Sequence, residues 1–436
     1  MLSPTDNDYL CRIGPGTPMG NLMRQYWIPA IRSDELPAPD CPPLRVKLLG
    51  EELIGFRMTS GKVGLVQNAC PHRGASLFFG RNEEEGLRCV YHGWKFDATG
   101  QCVDMPSEPA ESNFRTKVRA RAYPTHEHGG VIWAYMGPRA VPPPLPEIEA
   151  MMASAGPHEI SVLHRPCNWM QGWEGEMDTV HAAFLHGGQN RFDDYEPGTF
   201  NYYQYKERAA KFSTIDTEYG LANGAFRPAE ADTYYWRITQ ILFPFYNMIP
   251  TGKLGDAFRI GAYVPMDDDH TLHWEIQVRP GAAANEPQFL RGAHPIANTT
   301  GWYGRFNVEE TLENDYLIDR ELQRRNRGPG GYTGILNGRL QDCAVTETMG
   351  PIYDRSREHL GTTDQFIIRA RRMMIRAARA LERDGIVPPG VDTPEVYRQR
   401  SGEIILPRTQ DWWETYVNLR RTWYPRQTPL PSQTAG

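Results

Sequence analysis

The chain predicts an α+β protein in two main parts: a small all-β module, then a larger α+β domain whose antiparallel sheet is flanked by helices. Three observations predict it. Between 44 and 136 short apolar runs are bounded by Gly, Pro and Asn, the pattern of short strands. Val141-Pro142-Pro143-Pro144-Leu145-Pro146 is a stiff Pro-rich linker and the clearest boundary. Beyond it, several runs alternate polar and apolar residues, and the tail from about 308 reads as mostly helical. Helices before and after a sheet indicate α+β. The expected division is a helical lead over 1–35, the β module over 36–140 and the larger domain over 141–436.

In the lead, Thr17 followed by Pro18 reads as an N-cap with Pro at the first helical position. Met19, Leu22, Met23 and Tyr26 then recur at helical spacing, and a packing arm is expected. Val46 to Phe56 reads as a hairpin turning at Gly50-Glu51. Val63–Val66, Leu87–Val90 and Val131–Met136 are further strands. Past the linker, strands are expected near 158–165, 208–217, 233–248, 257–265 and 271–279. Leu272–Val278 alternates strictly, which predicts a sheet with one solvated face. Ile367, Ala370, Met374 and Ala378 form a helical stripe within 363–385, expected in the core or at a subunit contact.

Bulk properties exclude several classes. With 436 residues, 40% hydrophobic and 23% charged, the chain is long enough for two or three domains and a normal core. A net charge of −6 gives no basic footprint for nucleic acid. Seven scattered cysteines, an odd number, do not make a disulfide framework and favour a reducing compartment. The N-terminus lacks the charged-then-apolar pattern of a secretory signal. No apolar run approaches the ~20 residues of a membrane helix. A cytoplasmic protein without membrane or nucleic-acid partners is expected.

The stretch that carries chemistry is Cys70-Pro71-His72-Arg73-Gly74 with Cys89-Val90-Tyr91-His92-Gly93-Trp94. It holds a C-x-H and a C-x-x-H pair. A Rieske [2Fe–2S] centre needs two Cys on one iron and two His on the other. Each pair can supply one of each, so two short loops pinch one cluster. Zinc sites favour like ligands in each half, C-x2-4-C and H-x3-5-H, which fits the mixed pairs poorly.

A second constellation holds Asp178, His181 and His186. Asp178 and His181 share a face if the segment is helical. His181 and His186 are about 140° apart on an ideal helix, so they converge only if the helix ends or unwinds between them. Gly187-Gly188 makes an end credible. Two His and one carboxylate form the facial triad of non-haem Fe(II) oxygenases. Asp178 is adjacent, yet it can equally accept the ring N–H of His181. The carboxylate can also come from far along the chain.

With both constellations, the chain resembles the oxygenase component of the Rieske non-haem iron oxygenases, in particular the phthalate dioxygenase branch. The resemblance runs through Gly14–Gly20, both Cys-His pairs, Asn168-Trp169-x-Gln171, Asp178–His186, Gln341–Ile352 and Asp354–Gly361. It implies that Cys70, His72, Cys89 and His92 bind the cluster, and that His181, His186 and Asp342 bind Fe(II). Spacing alone does not choose Asp342 over Asp315, Asp319, Asp354 or Asp364. The resemblance also implies a catalytic domain of the helix-grip type and homotrimers or stacked trimers. In these Asp178 bridges His181 to His92 of a neighbouring subunit. No G-x-G-x-x-G follows a strand, so a separate NAD(P)H-dependent reductase, with or without a ferredoxin, is the expected partner.

The expected activity is O2-dependent hydroxylation of an aromatic, carboxylated substrate. O-demethylation of a methoxy-aromatic is the alternative. An electron carrier without chemistry of its own, holding only the cluster, is the rival of a different class. A substrate carboxylate wants an Arg fork. Arg208, Arg227, Arg237 and Arg259 are candidates, Thr179 is a possible hydroxyl contact, and Phe243–Pro250 is a candidate pocket wall.

Overall fold

The computed structural model describes residues 1–109, 111–152, 158–256, 258–278 and 290–424. Position 257 and position 279, the ends of two expected strands, lie outside the described residues.

The lead folds as expected up to Met23. Helix α1 spans Pro4–Cys11 and α2 spans Pro18–Met23. Thr17 caps α2, its side chain accepting from Gly20 N at 3.2 Å. The lead is not helical to its end, because Trp27–Arg32 is strand β1. All six of its residues are apolar or part-buried, and it pairs with a later strand, β10.

The module that follows holds β2 (Leu44–Leu48), β3 (Glu51–Arg57), β4 (Val63–Gln67), β5 (Arg81–Asn82), β6 (Leu87–Arg88), β7 (Lys95–Phe96), β8 (Cys102–Asp104), β9 (Thr125–His128) and β10 (Val131–Tyr135). Three antiparallel sheets result: β2-β3-β4, β5-β6-β7-β8 and β1-β10-β9. The β2–β3 turn sits one residue earlier than expected, at Leu49-Gly50, with φ of 46° and 80°. Positive φ at both central residues is the twist a two-residue hairpin wants. Ile54, Phe56, Val66, Leu77, Leu87 and Phe96 pack into a core of their own around Cys70 and Cys89.

The larger part opens with β11 (His158–Arg165) and helices α3 (Trp169–Met177) and α4 (Phe200–Lys206). Strands β12 (Lys211–Thr217), β13 (Gly220–Pro228), β14 (Thr233–Leu242), β15 (Tyr246–Met248), β16 (Phe258–Pro265) and β17 (Thr271–Val278) follow. Then come α5 (Arg320–Arg324), α6 (Gly338–Glu347), α7 (Gln365–Asp384), β18 (Gly402–Pro407) and α8 (Trp412–Trp423). The antiparallel sheet runs β11-β17-β16-β15-β14-β13-β12, with β18 added against β14. The run expected as one strand over 233–248 is two, because the chain turns back around Pro244, which has no N–H to give a ladder.

One expectation fails outright. The β17 alternation does not mark a solvated face, since all eight residues are buried. Leu272, Trp274, Ile276 and Val278 join the main core. His273, Glu275 and Gln277 are covered on the other face, where Glu275 is paired with Arg259 and Gln277 with Glu159. Buried charge survives there because it is paired. The α7 stripe is core: Ile367, Ala370, Met374 and Ala378 are all buried. No helix among the described residues is long and apolar enough to cross a membrane.

Candidate metal centres and pocket

The two Cys-His loops have the same backbone closure. Cys70 N–H donates to Ala75 O at 2.8 Å, and Gly74 N–H donates back to Cys70 O at 2.9 Å. Cys89 N–H donates to Trp94 O at 2.8 Å, and Gly93 N–H to Cys89 O at 2.9 Å. The turn needs a left-handed residue at its fifth position, and Gly74 and Gly93 supply φ of 78° and 79°. Both cysteines are buried. The imidazoles of His72 and His92 lie side by side, their ring centroids 4.3 Å apart. Trp94 stacks on His72 at 4.2 Å.

The chemistry of this donor set fits a two-metal cluster. Nδ1 of His72 and Nδ1 of His92 are buried without a hydrogen-bond partner. Burial pushes the Cys70 thiol up to about 11, and the neighbouring Cys89 adds to the rise. Such a thiol gives up its proton only to something that stabilises the thiolate, as a metal does. A single tetrahedral zinc would need its ligand atoms to converge. Among the described residues, the group of His, Cys, Asp and Glu whose ligand atoms lie within 4.8 Å of one another is a different one, His181, His186 and Asp342.

That triad is assembled by a helix that stops and a helix that starts. Asn168 caps α3, its Oδ1 accepting from Met170 N while its amide donates to Cys11 O and Asp268 O. The helix ends at Met177. The side chain of Asp178 then accepts from Val180 N at 2.8 Å and His181 N at 3.3 Å, a local bond that competes with helix continuation. The helix therefore breaks before both Asp178 and His181, so the condition for a shared helical face is not met. His181 begins a 3-10 turn and His186 follows it. Gly187 and Gly188 let this turn press on Tyr205 and Tyr332, since an added Cβ would come within 2.0 and 2.4 Å of them.

The two imidazoles meet Nε2 to Nε2 at 3.2 Å. Helix α6, capped by Asn337 onto Leu340 N, brings Asp342 Oδ1 to 3.5 Å from His181 Nε2 and 3.3 Å from His186 Nε2. Burial alone would lower the affinity of His181 for a proton, but the hydrogen bond to Asp342 and the charges of Asp342 and Asp178 together outweigh it and raise its pKa to about 9. Asp342 is held well below the usual carboxylate range: burial opposes this, and the bonds to both imidazoles with the charges of His186 and Arg339 together overcome it. A cation at this point would replace that proton. The arrangement is two imidazoles and one carboxylate on one side of a cavity, the facial pattern that leaves coordination positions open.

Behind Asp342 runs a buried belt of charge. Arg339 reaches Asp342 Oδ2 at 3.4 Å, Glu275 at 3.4 Å, and Glu176. Tyr263 donates to Glu176 at 3.1 Å and Arg259 to Glu275 at 2.7 Å. Spacing gave no hint of Arg339 or Glu176. Gln341, next to Asp342 in the Gln341–Ile352 stretch, accepts from His186 Nδ1 at 2.7 Å.

The cavity, about 1100 Å³, is lined by the triad, Asp178, Thr179, Leu185, Thr239, Ile249 and Val345 among others. Of the four candidate arginines, Arg237 and Arg259 line it. Arg208 is spent on Ala183 O and Asn190 O, and Arg227 is fully buried, donating to Glu207 O. Arg259 is committed to Glu275. Arg237 lies over Phe200 with its centre 3.7 Å from the ring, is held by Glu403 and Pro250 O at 3.4 Å each, and has a buried Nε without a partner. The 243–250 segment divides: Phe243, Phe245 and Tyr246 are core, whereas Ile249 and Pro250 reach the cavity.

Residues 26–124 match the family model described as Rieske [2Fe-2S] domain, and residues 134–432 match that described as LigXa C-terminal domain like. The chain is 43% identical to the 3-chlorobenzoate-3,4-dioxygenase oxygenase subunit of Comamonas testosteroni, over 94% of this chain and 97% of that one. It is 37% identical to the phthalate 4,5-dioxygenase oxygenase subunit of Pseudomonas putida, covering 88% and 87%. Identity is 32% to the 5,5'-dehydrodivanillate O-demethylase oxygenase subunit of a Sphingobium species, covering 91% and 88%. An oxygenase–ferredoxin complex of carbazole 1,9a-dioxygenase shares the fold, with a TM-score of 0.54 at 19% identity over 85% of this chain and 95% of that one.

Proposed function

This chain belongs to the Rieske non-haem iron oxygenases, and from that premise we propose that it hydroxylates a carboxylated aromatic compound at the His181–His186–Asp342 site. It is the oxygenase component of a multicomponent system, and components of this kind work with a separate reductase or ferredoxin. Its partner in this reading is an NAD(P)H-dependent reductase. The convergence of two imidazoles and a carboxylate beside a large cavity carries the proposal.

Cys70 and Cys89 would hold one iron of the [2Fe–2S] cluster, and His72 and His92 the other. His181, His186 and Asp342 would hold the mononuclear iron. When bound, the cluster relays single electrons and the mononuclear iron uses them to activate O2. Asp178 would link the two centres across a subunit interface in a homotrimer. Its side chain is 31% exposed while Oδ2 stands 3.9 Å from His181 Nδ1, so it can face a neighbour and its own imidazole together. On the cluster loop, Val90 and Tyr91 directly precede His92 and are more than half exposed, an apolar edge suited to that contact. Arg237 would orient the substrate carboxylate, with Thr179 as a hydroxyl contact and Ile249 as apolar wall. The paired charges of Arg339, Glu176, Glu275 and Arg259 keep the metal side of the cavity fixed and shielded from water.

The test is metal counting followed by turnover. The enzyme should contain about three irons and two acid-labile sulfides per chain; an electron carrier would contain about two irons. With a compatible reductase, benzoate- and phthalate-type acids should couple NADH oxidation to O2 uptake. The O-demethylase relative supports a second reading on the same residues. Formaldehyde release from methoxybenzoates, without ring diols, would select it.

A further inference from the structure

Resting on the metal-site reading above, we propose that Gln341 is a positioning residue: it fixes the tautomer of His186 and sets how strongly that imidazole donates to the iron.

The orientation of the Gln341 amide is not free. The side chain is buried, at 2% exposure, and Nε2 donates to Ile335 O at 2.6 Å. A flipped amide would set its oxygen against that carbonyl, two acceptors without a proton. The oxygen therefore faces His186, with Oε1 2.7 Å from Nδ1. An amide oxygen can only accept, so Nδ1 carries the proton. When a metal takes the place of the proton that Asp342 Oδ1 otherwise accepts, Nε2 of His186 is the nitrogen left to offer its lone pair. That is the atom lying 3.2 Å from His181 Nε2 and 3.3 Å from Asp342 Oδ1. The adjacent residues Gln341 and Asp342 thus supply the orienting group and a ligand from one turn of α6.

The two imidazoles are not held alike. Nδ1 of His181 is buried without a hydrogen bond, and its nearest carboxylate oxygen, Asp178 Oδ2, is 3.9 Å away. His186 has a short bond, but to a neutral amide. A carboxylate acceptor makes an imidazole a stronger donor than an amide does, and such supporting bonds also hold the ring in place. A glutamine here keeps His186 a well-oriented yet moderate donor, which favours the ferrous state over what a glutamate would give.

The experiment uses the full-length holoenzyme with Gln341→Leu and Gln341→Glu. It reads the Fe(II) dissociation constant by chelator competition, the midpoint potential of the mononuclear iron by its ferric EPR signal, and the cluster spectrum as a fold control. Gln341→Leu should bind Fe(II) about 10- to 100-fold more weakly with an unchanged cluster. Gln341→Glu keeps an acceptor for Nδ1 but loses the bond to Ile335 O, so it should bind Fe(II) more tightly than Gln341→Leu and lower the iron potential while the cluster potential stays put. If Gln341→Leu loses its cluster as well, the Glu variant decides alone. Equal loss of iron in both variants, or a Glu variant with an unmoved potential, overturns the inference. A parent enzyme with only two irons per chain overturns the metal-site reading and this inference with it.

Discussion

Asp178 grips its own loop with one oxygen and leaves the other beside His181: Oδ1 accepts the His181 backbone N–H at 3.3 Å, while Oδ2 stands 3.9 Å from Nδ1 of the same residue. One side chain both ends a helix and addresses an imidazole. Asn can keep the first task, since its carbonyl still accepts. It cannot offer a charged oxygen to the ring. Asp178→Asn should therefore load both metals normally and slow reduction of the mononuclear iron by roughly 100-fold or more, the scale lost with a positioned proton-handling group. Single-turnover reduction followed by rapid-freeze EPR measures this. A wild-type rate would remove Asp178 from the electron path.

The two loop glycines share a φ but not their surroundings. A Cβ on Gly74 meets nothing within 4 Å, whereas on Gly93 it would meet Pro106 Cγ at 2.8 Å. Gly74→Ala should cost only the left-handed backbone penalty of about 1 to 2 kcal/mol. Gly93→Ala should add an overlap of about 1 to 3 kcal/mol and lose cluster occupancy. Denaturant melts and the visible spectrum compare them. Equal behaviour of the two would refute the packing argument.

His164 predicts an acid-side stability slope. Burial lowers its pKa to about 4; hydrogen bonding to Asn307 opposes this and the charge of His270 adds to it. Its ring stacks on His270 at 5.4 Å, and its Nδ1 lies 2.8 Å from Asn307 Oδ1. An unfolded histidine titrates near 6.5, so between about pH 6.5 and 4 the unfolded chain binds more protons. Stability should fall across that window as pH drops, by up to about 3 kcal/mol, and be independent of this residue above it. Denaturant titrations at stepped pH read the slope, and His164→Gln should flatten it. An unchanged slope would put the titration elsewhere.

Arg237 is tested through specificity. A hydrogen bond to a charged group is worth about 1.5 to 3 kcal/mol, which converts to roughly a 10- to 100-fold change in affinity. Arg237→Gln should raise KM by that factor for a benzoate-type substrate and leave an uncharged analogue of the same shape little affected. If both substrates weaken equally, the guanidinium is a wall of the pocket and not an anchor.

The loops and the His pair were legible because their ligands lie within a few residues of one another. Asp342 was not, since spacing carries no information across the roughly 150 residues that separate it from the imidazoles. Only likeness to a family picked it out. Strand β13 carries little sequence signal, because Gly220-Leu221-Ala222-Asn223-Gly224-Ala225 has none of the β-branched residues that announce a strand. The β17 pattern was read correctly as alternation and wrongly as exposure. Period-2 polarity says which face is polar, and a polar face can as well line a cavity as meet solvent. Helix α3 stops short of Asp178 for a chemical reason, the carboxylate's preference for the N–H groups two and three residues ahead.

Helical segments and their flanking turns supply the three candidate ligands of the mononuclear iron, whereas Arg237, Thr239 and Gln277 on the cavity wall belong to strands. Part of the wall that meets the substrate is thus written on a different piece of scaffold from the metal. Strand positions are open to exchange, one residue at a time, while the oxygen-handling geometry stays untouched. A lineage built this way can acquire new diets without relearning its chemistry.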